Sequence, residues 1–367
     1  MKQNYKIKKI LAREILDSRG SWTVEVGLET PHGLFRDSAS SGASTGKYEA
    51  PIVSSQEAVK NINEIVAPKL KGENVINQQK IDSFLDPEKF GANATTPISM
   101  AVCRAGAAAQ KIPLWKYVNK ISDDLPVNLP NPCFNMINGG THASNELDFQ
   151  EFMAVCSIQK SSEIYQDLRK KLGKNVGDEG GFAPPFKSTE EALQLLSRCG
   201  VKIIIDVAAS QFSEEKKQIY NLDYFQNLVK KYPIIGLEDP FAEDDWSNFR
   251  QITEKLGKRI VIIGDDLLVT NPARIKQARQ KKSCNGLLLK INQIGTVTEA
   301  IEAAKLAKSF GWKIMVSHRS GETNDDFIAD FAVGIGADFI KSGAPARGER
   351  VAKYNRLLRI EEELHND

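Results

Sequence analysis

The segment Val201-Lys202-Ile203-Ile204-Ile205-Asp206 decides the fold of this chain, because it is a short apolar strand with a polar end and its pattern recurs. Helix-forming stretches separate the repeats, and their terminal polar residues follow one another at intervals of 23 to 32 residues. Regular β–α units of this size favour a parallel sheet covered by helices, and their number favours a closed β/α barrel over an open doubly wound sheet. The later strands are predicted at Ile234–Glu238, Ile260–Asp265, Leu287–Lys290, Lys313–His318 and Ala337–Lys341.

The first third of the chain has a different, mixed pattern. Apolar and polar residues alternate over Trp22–Leu28, which predicts a strand in a small antiparallel sheet. Apolar residues recur at helical spacing over residues 55–70 and 98–110, which predicts two helices. This part of the chain is therefore expected to form an α+β unit.

A cluster of three prolines within residues 124–132 separates the two patterns. Helices and central strands do not tolerate such a cluster, so we predict a domain boundary there. The expected fold class is α/β. A smaller N-terminal α+β capping domain with a mobile loop covers residues 1–125, and a TIM-like β/α catalytic barrel covers residues 126–367.

Composition excludes several classes of protein. The 367 residues include 49 Lys and Arg against 47 Asp and Glu, with 41% hydrophobic residues, which excludes disordered, coiled-coil and collagen-like chains. The net charge of +2 disfavours nucleic acid or a membrane surface as a partner. Five scattered cysteines predict neither a disulfide framework nor a zinc site. Without a signal-peptide or membrane-spanning apolar run, the expected location is cytoplasmic.

The predicted strand ends carry the residues with the most informative chemistry. In β/α barrels the active site lies at the carboxyl ends of the strands, where this chain has Asp206, Glu238 and either Asp265 or the adjacent Asp266. Three carboxylates on consecutive strands suit magnesium, which prefers carboxylate oxygens together with water and substrate oxygens. The alternative is that each acid only caps a helix or forms a surface ion pair. A polar end on all six strands disfavours that alternative.

Basic residues end the remaining strands. Lys290, Lys341, His318 and Arg319 would face the acids, which indicates an anionic substrate held against the metal. A buried lysine beside other cations is able to act as a general base, and a chelated carboxylate makes the neighbouring carbon acid easier to deprotonate. Lys290 also has a purely structural interpretation, as an ion-pair partner of the nearby acids.

A second cluster precedes the periodic region. It includes His142 after two glycines, the pair Gln150-Glu151, and Asp178-Glu179 between glycines. The flanking glycines indicate a turn, and an acid held near other acids is a candidate for a raised pKa and a general-acid role. An ordinary turn residue is the alternative.

The Gly- and Ser-rich run Ser40–Lys47 is a candidate phosphate cradle or mobile lid. It lacks the spacing of a nucleotide P-loop, and no dinucleotide-binding glycine motif follows any predicted strand. Taken alone, such a run is usually a flexible loop.

Together these segments resemble the enolase family over nearly the whole chain. The most specific stretches are Asp17–Gly20, Ser41–Gly46, Val176–Pro184, Glu238–Trp246, Gly264–Leu267, Leu287–Thr296, Ser317–Thr323 and Lys341–Arg350. The resemblance implies a magnesium-dependent lyase of glycolysis and gluconeogenesis that interconverts 2-phosphoglycerate, a small phosphorylated carboxylate, and phosphoenolpyruvate. A lysine base and one or two magnesium ions are general features of enolase-superfamily sites.

The same resemblance implies a role for each matched residue. Asp206, Glu238 and Asp265 would hold the first of two magnesium ions, and Ser44 would bind the second when substrate is present. Lys290 would be the base, and Glu179 the acid, supported by Glu151. His142 and His318 would approach the phosphate, and the substrate would contact Gln150, Arg319, Ser320 and Lys341.

The resemblance also implies a homodimer or larger homo-oligomer, because positions matching the family's intersubunit ion pairs are present. They are Arg19 with Glu362 and Glu25 with Arg359. The chain departs from the family pattern at Ser21-Trp22 and Ser40 and is shorter in several loops, but no matched catalytic position is lost. The alternative function is a non-catalytic, enolase-like binding paralogue.

Overall fold

A small antiparallel sheet opens the computed structural model, which describes residues 5–42 and 46–365. Its strands are β1 (Lys9–Leu16), β2 (Trp22–Thr30) and β3 (Gly33–Ser38), in the order β1-β2-β3. The alternation predicted for residues 22–28 is confirmed, since Val24, Val26 and Leu28 are all fully buried.

Helices follow this sheet and cover its apolar face. The helical run predicted over residues 55–70 consists of three segments, because a π-helical stretch at Asn61–Val66 separates α1 (Ser55–Lys60) from α2 (Ala67–Leu70). Short helices α3 (Gln78–Asp82) and α4 (Pro87–Phe90) come next, and then α5 (Ala92–Gln110) and α6 (Leu114–Ile121).

Helix α5 begins six residues before the predicted start at residue 98. Pro97 is the sixth residue of this helix, where its missing N–H removes one bond of the ladder, the one that the Asn93 carbonyl would accept. Ile98 and Val102 of α5 pack in one apolar cluster with Val26 and Leu28 of the sheet.

A closed eight-stranded barrel follows and confirms the predicted α/β barrel class. Each of the six strands predicted from the repeats is present, and two further strands complete the circle. The barrel strands are β4 (Asn131–Asn138), β5 (Glu151–Val155), β6 (Lys202–Asp206), β7 (Ile234–Glu238), β8 (Val261–Gly264), β9 (Gly286–Leu289), β10 (Lys313–Ser317) and β11 (Phe339–Lys341).

The six strands predicted from the repeats are parallel to one another, as expected, whereas one of the two further strands is not. β5 runs antiparallel to both of its neighbours, β4 and β6. Residues 139–150 between β4 and β5 contain only a 3-10 turn at Gly140–His142, so no crossover helix carries the chain back before β5 forms. A direct return of this kind gives an antiparallel pair.

Most helices of the barrel begin at a residue whose side chain caps the helix. Asn271 accepts the backbone N–H groups of Ala273 and Arg274 at the start of one helix, with proline at its first position. The helices are α7 (Ile158–Leu172), α8 (Thr189–Ser197), α9 (Glu214–Ile219), α10 (Leu222–Lys231), α11 (Trp246–Leu256), α12 (Pro272–Lys281), α13 (Ile291–Ile294), α14 (Val297–Ser309), α15 (Phe327–Gly334) and α16 (Gly348–His365).

Alternation along the strands divides the barrel into an interior and an outer apolar layer. Ile204 of β6 lies in the interior cluster, whereas Ile203 and Ile205 belong to the cluster that includes the helices. The interior cluster is small and consists of Cys133, Met153, Ile204, Ile263, Leu288 and Met315.

The first third of the chain packs directly against the barrel. Asn119 of α6 donates to the carbonyl of Gly334 at 3.0 Å, and Arg104 of α5 bonds to Asp326 at 2.9 Å. Within the described residues, we find no helix with the length and apolar character needed to cross a membrane.

Candidate active site

The strand alternation explains why polar residues gather at one mouth of the barrel. Side chains two residues apart on a strand share a face, so Asp206 shares the interior face with Ile204. Lys290 follows Leu288 in the same way, and Asp265 follows Ile263. A single cavity at this mouth is lined by His142, Gln150, Glu151, Glu179, Asp206, Asp265, Lys290, His318, Arg319, Ser320 and Lys341.

Two predicted site residues fall outside this lining set. Glu238 is fully buried and bonds to Lys341, a residue that does line the cavity. Ser44, the predicted ligand of a second magnesium ion, lies outside the described residues.

The ammonium group of Lys341 is at the centre of the acidic cluster. Its Nζ lies 2.9 Å from Asp206 Oδ2, 2.8 Å from Glu238 Oε2 and 3.0 Å from Glu151 Oε1. All four side chains are buried, so these attractions are poorly screened by water. They hold the pKa of Lys341 well above its usual range, although burial alone lowers it.

Asp265 is held by a different lysine. Lys290 Nζ lies 2.6 Å from Asp265 Oδ2, and Gln293 donates to Asp265 Oδ1 at 2.9 Å. Burial raises the pKa of Asp265, but the charge of Lys290 opposes this and the net direction is down. The carboxylate is therefore ionised and fixed in orientation.

These acids fit a hard divalent cation in their chemistry, because carboxylate oxygens from three adjacent strands form an all-oxygen donor set. Among the described residues, however, the carboxylate oxygens of Asp206, Glu238 and Asp265 do not all lie within 4.8 Å of one another. Lys341 bonds two of them and Lys290 bonds the third. A cation at this site would replace ammonium groups that already balance the negative charge.

Sequence reasoning missed Asp239, the residue after Glu238. Its carboxylate oxygens accept the backbone N–H groups of Asp265 at 3.0 Å and Asp266 at 2.7 Å. Burial, Asp266 and Asp265 raise the pKa of Asp239. The signal available in the sequence was a second acid at a strand end. The two hydrogen bonds from the backbone show that Asp239 supports the turn that carries Asp265.

Glu179 lies between two imidazoles. Its Oε1 is 3.6 Å from His142 Nδ1 and 3.5 Å from His318 Nε2, and Asn135 donates to its Oε2 at 3.0 Å. The predicted turn is confirmed, since Gly180 has φ of +82° and a Cβ on Gly181 would come within 2.6 Å of Asn138.

The expectation of a raised pKa for Glu179 is wrong in this state. Burial raises the pKa, but His318, His142 and Arg350 outweigh burial and hold it well below its usual range. The raised pKa belongs instead to Glu151, through burial and the negative charge of Glu179. One oxygen of each of these two acids lies within 4.8 Å of the other, so the two carboxyl groups influence each other's titration.

The residues predicted to bind substrate lie around the same cavity. Arg319 forms a buried ion pair with Glu49 at 2.9 Å, and sequence reasoning also missed Glu49. Ser320 Oγ accepts from Arg19 at 3.4 Å. Gln150 Oε1 accepts from Thr141 and Gln211 at its exposed edge.

Comparisons with known proteins agree with this geometry. Residues 7–118 match the family model described as "Enolase, N-terminal domain", and residues 126–225 and 222–367 match "Enolase, C-terminal TIM barrel domain". The chain is 46% identical over 421 residues to "Enolase" of Mastigamoeba balamuthi, covering 98% of this chain and 96% of that protein. It is 46% identical over 420 residues to "Enolase B" of Dictyostelium discoideum, covering 98% and 95%.

A third relative, "Enolase" of Eimeria tenella, is 45% identical over 426 residues, covering 98% of this chain and 96% of that protein. Each alignment is longer than the 367 residues of this chain, so the relatives contain segments that it lacks. Both halves of the chain match, and the chain therefore belongs to the enolase family.

Proposed function

We propose that this chain is a phosphopyruvate hydratase, which catalyses the reversible, magnesium-dependent dehydration of 2-phosphoglycerate to phosphoenolpyruvate. The observation that carries the proposal is the single cavity where Lys290, Glu179 and the carboxylates of Asp206 and Asp265 meet, in a barrel of the enolase family. The reaction needs a base, an acid and a means of neutralising an enolate, and this cavity contains candidates for each.

Asp206, Glu238 and Asp265 are the proposed ligands of one magnesium ion. Their oxygen donors and their places on adjacent strands support this assignment. A second ion with Ser44 remains part of the proposal through the family resemblance. When bound, the metal supplies neutralisation of the negative charge that develops on the substrate carboxylate.

Lys290 is the proposed base that removes the C2 proton. Burial lowers the pKa of Lys290, but the charge of Asp265 opposes this and the net direction is up. Lys290 therefore keeps its proton while this ion pair persists. Neutralising Asp265 would remove the attraction that holds the proton on Nζ. Lys290 would then be free to accept the C2 proton in a buried site.

Glu179 is the proposed acid that protonates the departing C3 hydroxyl, and Glu151 is its support. In the substrate-free protein the pKa of Glu151 is raised by burial and by Glu179, whereas the two imidazoles lower that of Glu179 against the effect of burial. An anionic substrate that engages those imidazoles would weaken their hold on ionised Glu179. The pKa of Glu179 would then rise, which favours the protonated form that an acid needs.

The remaining cavity residues are proposed to hold the substrate. His142 and His318 border the part of the cavity where the phosphate is expected, Arg319 and Ser320 offer donors to it, and Gln150 and Lys341 complete the anion-binding pocket. Arg319 is already paired with Glu49, so a phosphate that binds Arg319 must compete with that carboxylate.

The direct test uses purified full-length protein freed of divalent cations with a chelator. We expect the ultraviolet absorbance of the enol phosphate to appear from 2-phosphoglycerate only after magnesium is restored. We also expect phosphoenolpyruvate to be hydrated in the reverse direction. A folded, magnesium-loaded protein that forms no product in either direction would contradict the proposal.

Three broader assignments belong to this proposal. We infer domains at residues 1–125 and 126–367, a role in glycolysis and gluconeogenesis, and a cytoplasmic location. Location is testable by fractionating cells that express the tagged chain.

We also infer a homodimer or a larger homo-oligomer. Large apolar side chains lie exposed around the small sheet near Glu25, with Leu16 58% and Trp22 63% exposed, which supports a contact there. Sedimentation equilibrium over a range of concentrations tests this assignment, and a protein that stays monomeric throughout would contradict it.

A further inference from the structure

Arg350 has a fully buried guanidinium group to which the proposed reaction assigns no task. It lies in the first turn of α16 and bonds to the segment that follows β10. Its Nη1 is 2.7 Å from His318 Nδ1 and 2.7 Å from the carbonyl of Arg319, and its Nη2 is 2.6 Å from the carbonyl of Ser320. A further bond of 3.2 Å reaches the carbonyl of Asp178, the residue before Glu179.

The chemistry of a guanidinium fixes the protonation of the ring that it touches. Every polar atom of Arg350 is a donor, so the atom opposite must supply a lone pair. His318 Nδ1 is therefore the acceptor of this bond, and the ring proton must be on Nε2. A doubly protonated ring would set one N–H against another in a buried site.

The other nitrogen of the ring faces the proposed acid. His318 Nε2 lies 3.5 Å from Glu179 Oε1, and His318 is only 2% exposed. The charged groups that act on the ring are Glu179 on its glycine-flanked turn, Arg350 on α16 and Glu322 on the loop after β10. The ring thus links a fixed donor on one side to a carboxylate on the other.

We propose that Arg350 is a positioning residue that fixes His318 as the neutral Nε2–H tautomer and so directs an N–H donor at Glu179. The backbone bonds of Arg350 hold residues 318–320 and the carbonyl of Asp178 around the same guanidinium. His142 provides a comparison within the site, because it approaches Glu179 through Nδ1, at 3.6 Å.

The tautomer does not depend on the proposed function, whereas its effect on catalysis rests on that function. If Glu179 delivers a proton to the leaving hydroxyl, a neutral donor at its Oε1 orients the carboxyl group without adding a second cation. Loss of that donor should lower kcat more than it changes KM, since His318 would still be present at the phosphate.

The first experiment measures the tautomer in the wild-type protein. Full-length protein with ¹⁵N-labelled histidine is studied by long-range ¹H–¹⁵N correlation between about pH 6 and pH 8, a range in which histidine commonly titrates. Only four histidines are present, and His318→Gln assigns the signal of His318. We expect a protonated Nε2 and an unprotonated Nδ1. A protonated Nδ1, alone or with Nε2, would overturn the proposal.

The second experiment asks whether Arg350 sets this state. Arg350→Met removes every donor, and we expect mixed tautomers and a fall in kcat of about 100-fold, the scale of one general acid–base contribution. Arg350→Lys restores an N–H donor and should recover the Nε2–H tautomer. The matched control is Arg356→Lys on the same helix, because Arg356 pairs with Asp330 and Glu363 and should leave His318 unchanged.

The outcomes separate this proposal from the proposed function. An unchanged tautomer in folded Arg350→Met would overturn the role of Arg350 even if the enzyme is active. The expected tautomer in a protein with no hydratase activity would leave the role of Arg350 standing and reject the function instead. If Arg350→Met fails to fold, the wild-type spectrum and Arg350→Lys still decide the tautomer.

Discussion

Lys290 Nζ lies 2.6 Å from Asp265 Oδ2, so the proposed base and a proposed cation ligand form one buried ion pair in the substrate-free protein. Each side chain is only 13% exposed, and the pair is weakly screened. Lys290 therefore keeps its proton while it is paired with Asp265. If Asp265 binds a cation and Lys290 is the base, this one carboxylate would couple cation binding to proton abstraction.

The first prediction concerns Lys290→Ala, which removes the proposed base. We expect kcat for phosphoenolpyruvate formation to fall about 10³-fold or more, within the range for loss of a general base. Exchange of the C2 proton of 2-phosphoglycerate into deuterated water should be lost as well, and NMR measures this directly. Lys276→Ala, a change at an exposed position of α12, is the control and should retain both activities. C2 exchange at the wild-type rate in Lys290→Ala would exclude Lys290 as the base.

The second prediction separates the acid from the base. Glu179→Gln keeps the size of the side chain and an acceptor for Asn135, but it cannot supply a carboxyl proton. We expect dehydration to fall by about 10² to 10⁴ while C2 exchange is retained. The two rates are measured on the same sample by absorbance and by NMR. Equal loss of both rates would instead assign Glu179 to the proton-abstraction step.

The fold was predictable where each strand carried its own signal. Segments such as Ile203–Asp206 combine an apolar run with a polar end, and that combination identified six barrel strands. β4 was missed because its first residues lie in the proline cluster. β5 was missed because Glu151–Val155 begins, rather than ends, with its polar residue and so does not match the repeated pattern. The antiparallel direction of β5 follows from how the chain returns to the barrel, which a local pattern does not contain.

The site was predictable for residues that carry chemistry at strand ends, and less so for residues that act through others. Asp239 works by accepting two backbone N–H groups, and no motif distinguishes it from an ordinary turn acid. Glu49 is separated from Arg319 by 270 residues, and Arg350 from His318 by 32. Such partners are brought together only by tertiary packing. The protonation state of Glu179 depended on two imidazoles from different loops and was misjudged for the same reason.

The third prediction concerns Asp239, which supports the turn that presents Asp265. Asp239→Ala leaves two buried backbone N–H groups without their acceptor, so the Asp265 carboxylate should lose its fixed position. We expect magnesium affinity, measured by calorimetry, to fall about 10- to 100-fold, as for other residues that orient metal ligands.

The control for Asp239 is Asp245→Ala. Asp245 also accepts a backbone N–H, that of Asn248, but it caps α11 and is not among the residues lining the cavity. Its loss should reduce stability by about 1 kcal/mol and leave magnesium affinity unchanged. Equal magnesium affinity in Asp239→Ala and the wild type would show that Asp265 does not need this support.

The fourth prediction concerns stability in acid. Burial and the charge of Arg350 lower the pKa of His318 to about 4, although Glu179 raises it, whereas the unfolded chain has the ordinary value of 6.5. Between pH 4 and pH 6.5, His318 binds a proton in the unfolded chain but not in the folded protein. Stability from this group is therefore complete above pH 6.5 and is lost as the pH falls toward 4, up to about 3 kcal/mol.

His318→Gln removes this proton uptake, so the thermal midpoint of the variant should fall less steeply than that of the wild type between pH 6.5 and pH 4. Calorimetry at matched ionic strength measures both curves, and comparing their difference cancels the titration of groups common to both proteins. His365→Gln, at the exposed end of α16, is the control and should follow the wild-type curve. Parallel curves for His318→Gln and the wild type would mean that His318 is protonated equally in the folded and unfolded states, which the contact with Arg350 forbids.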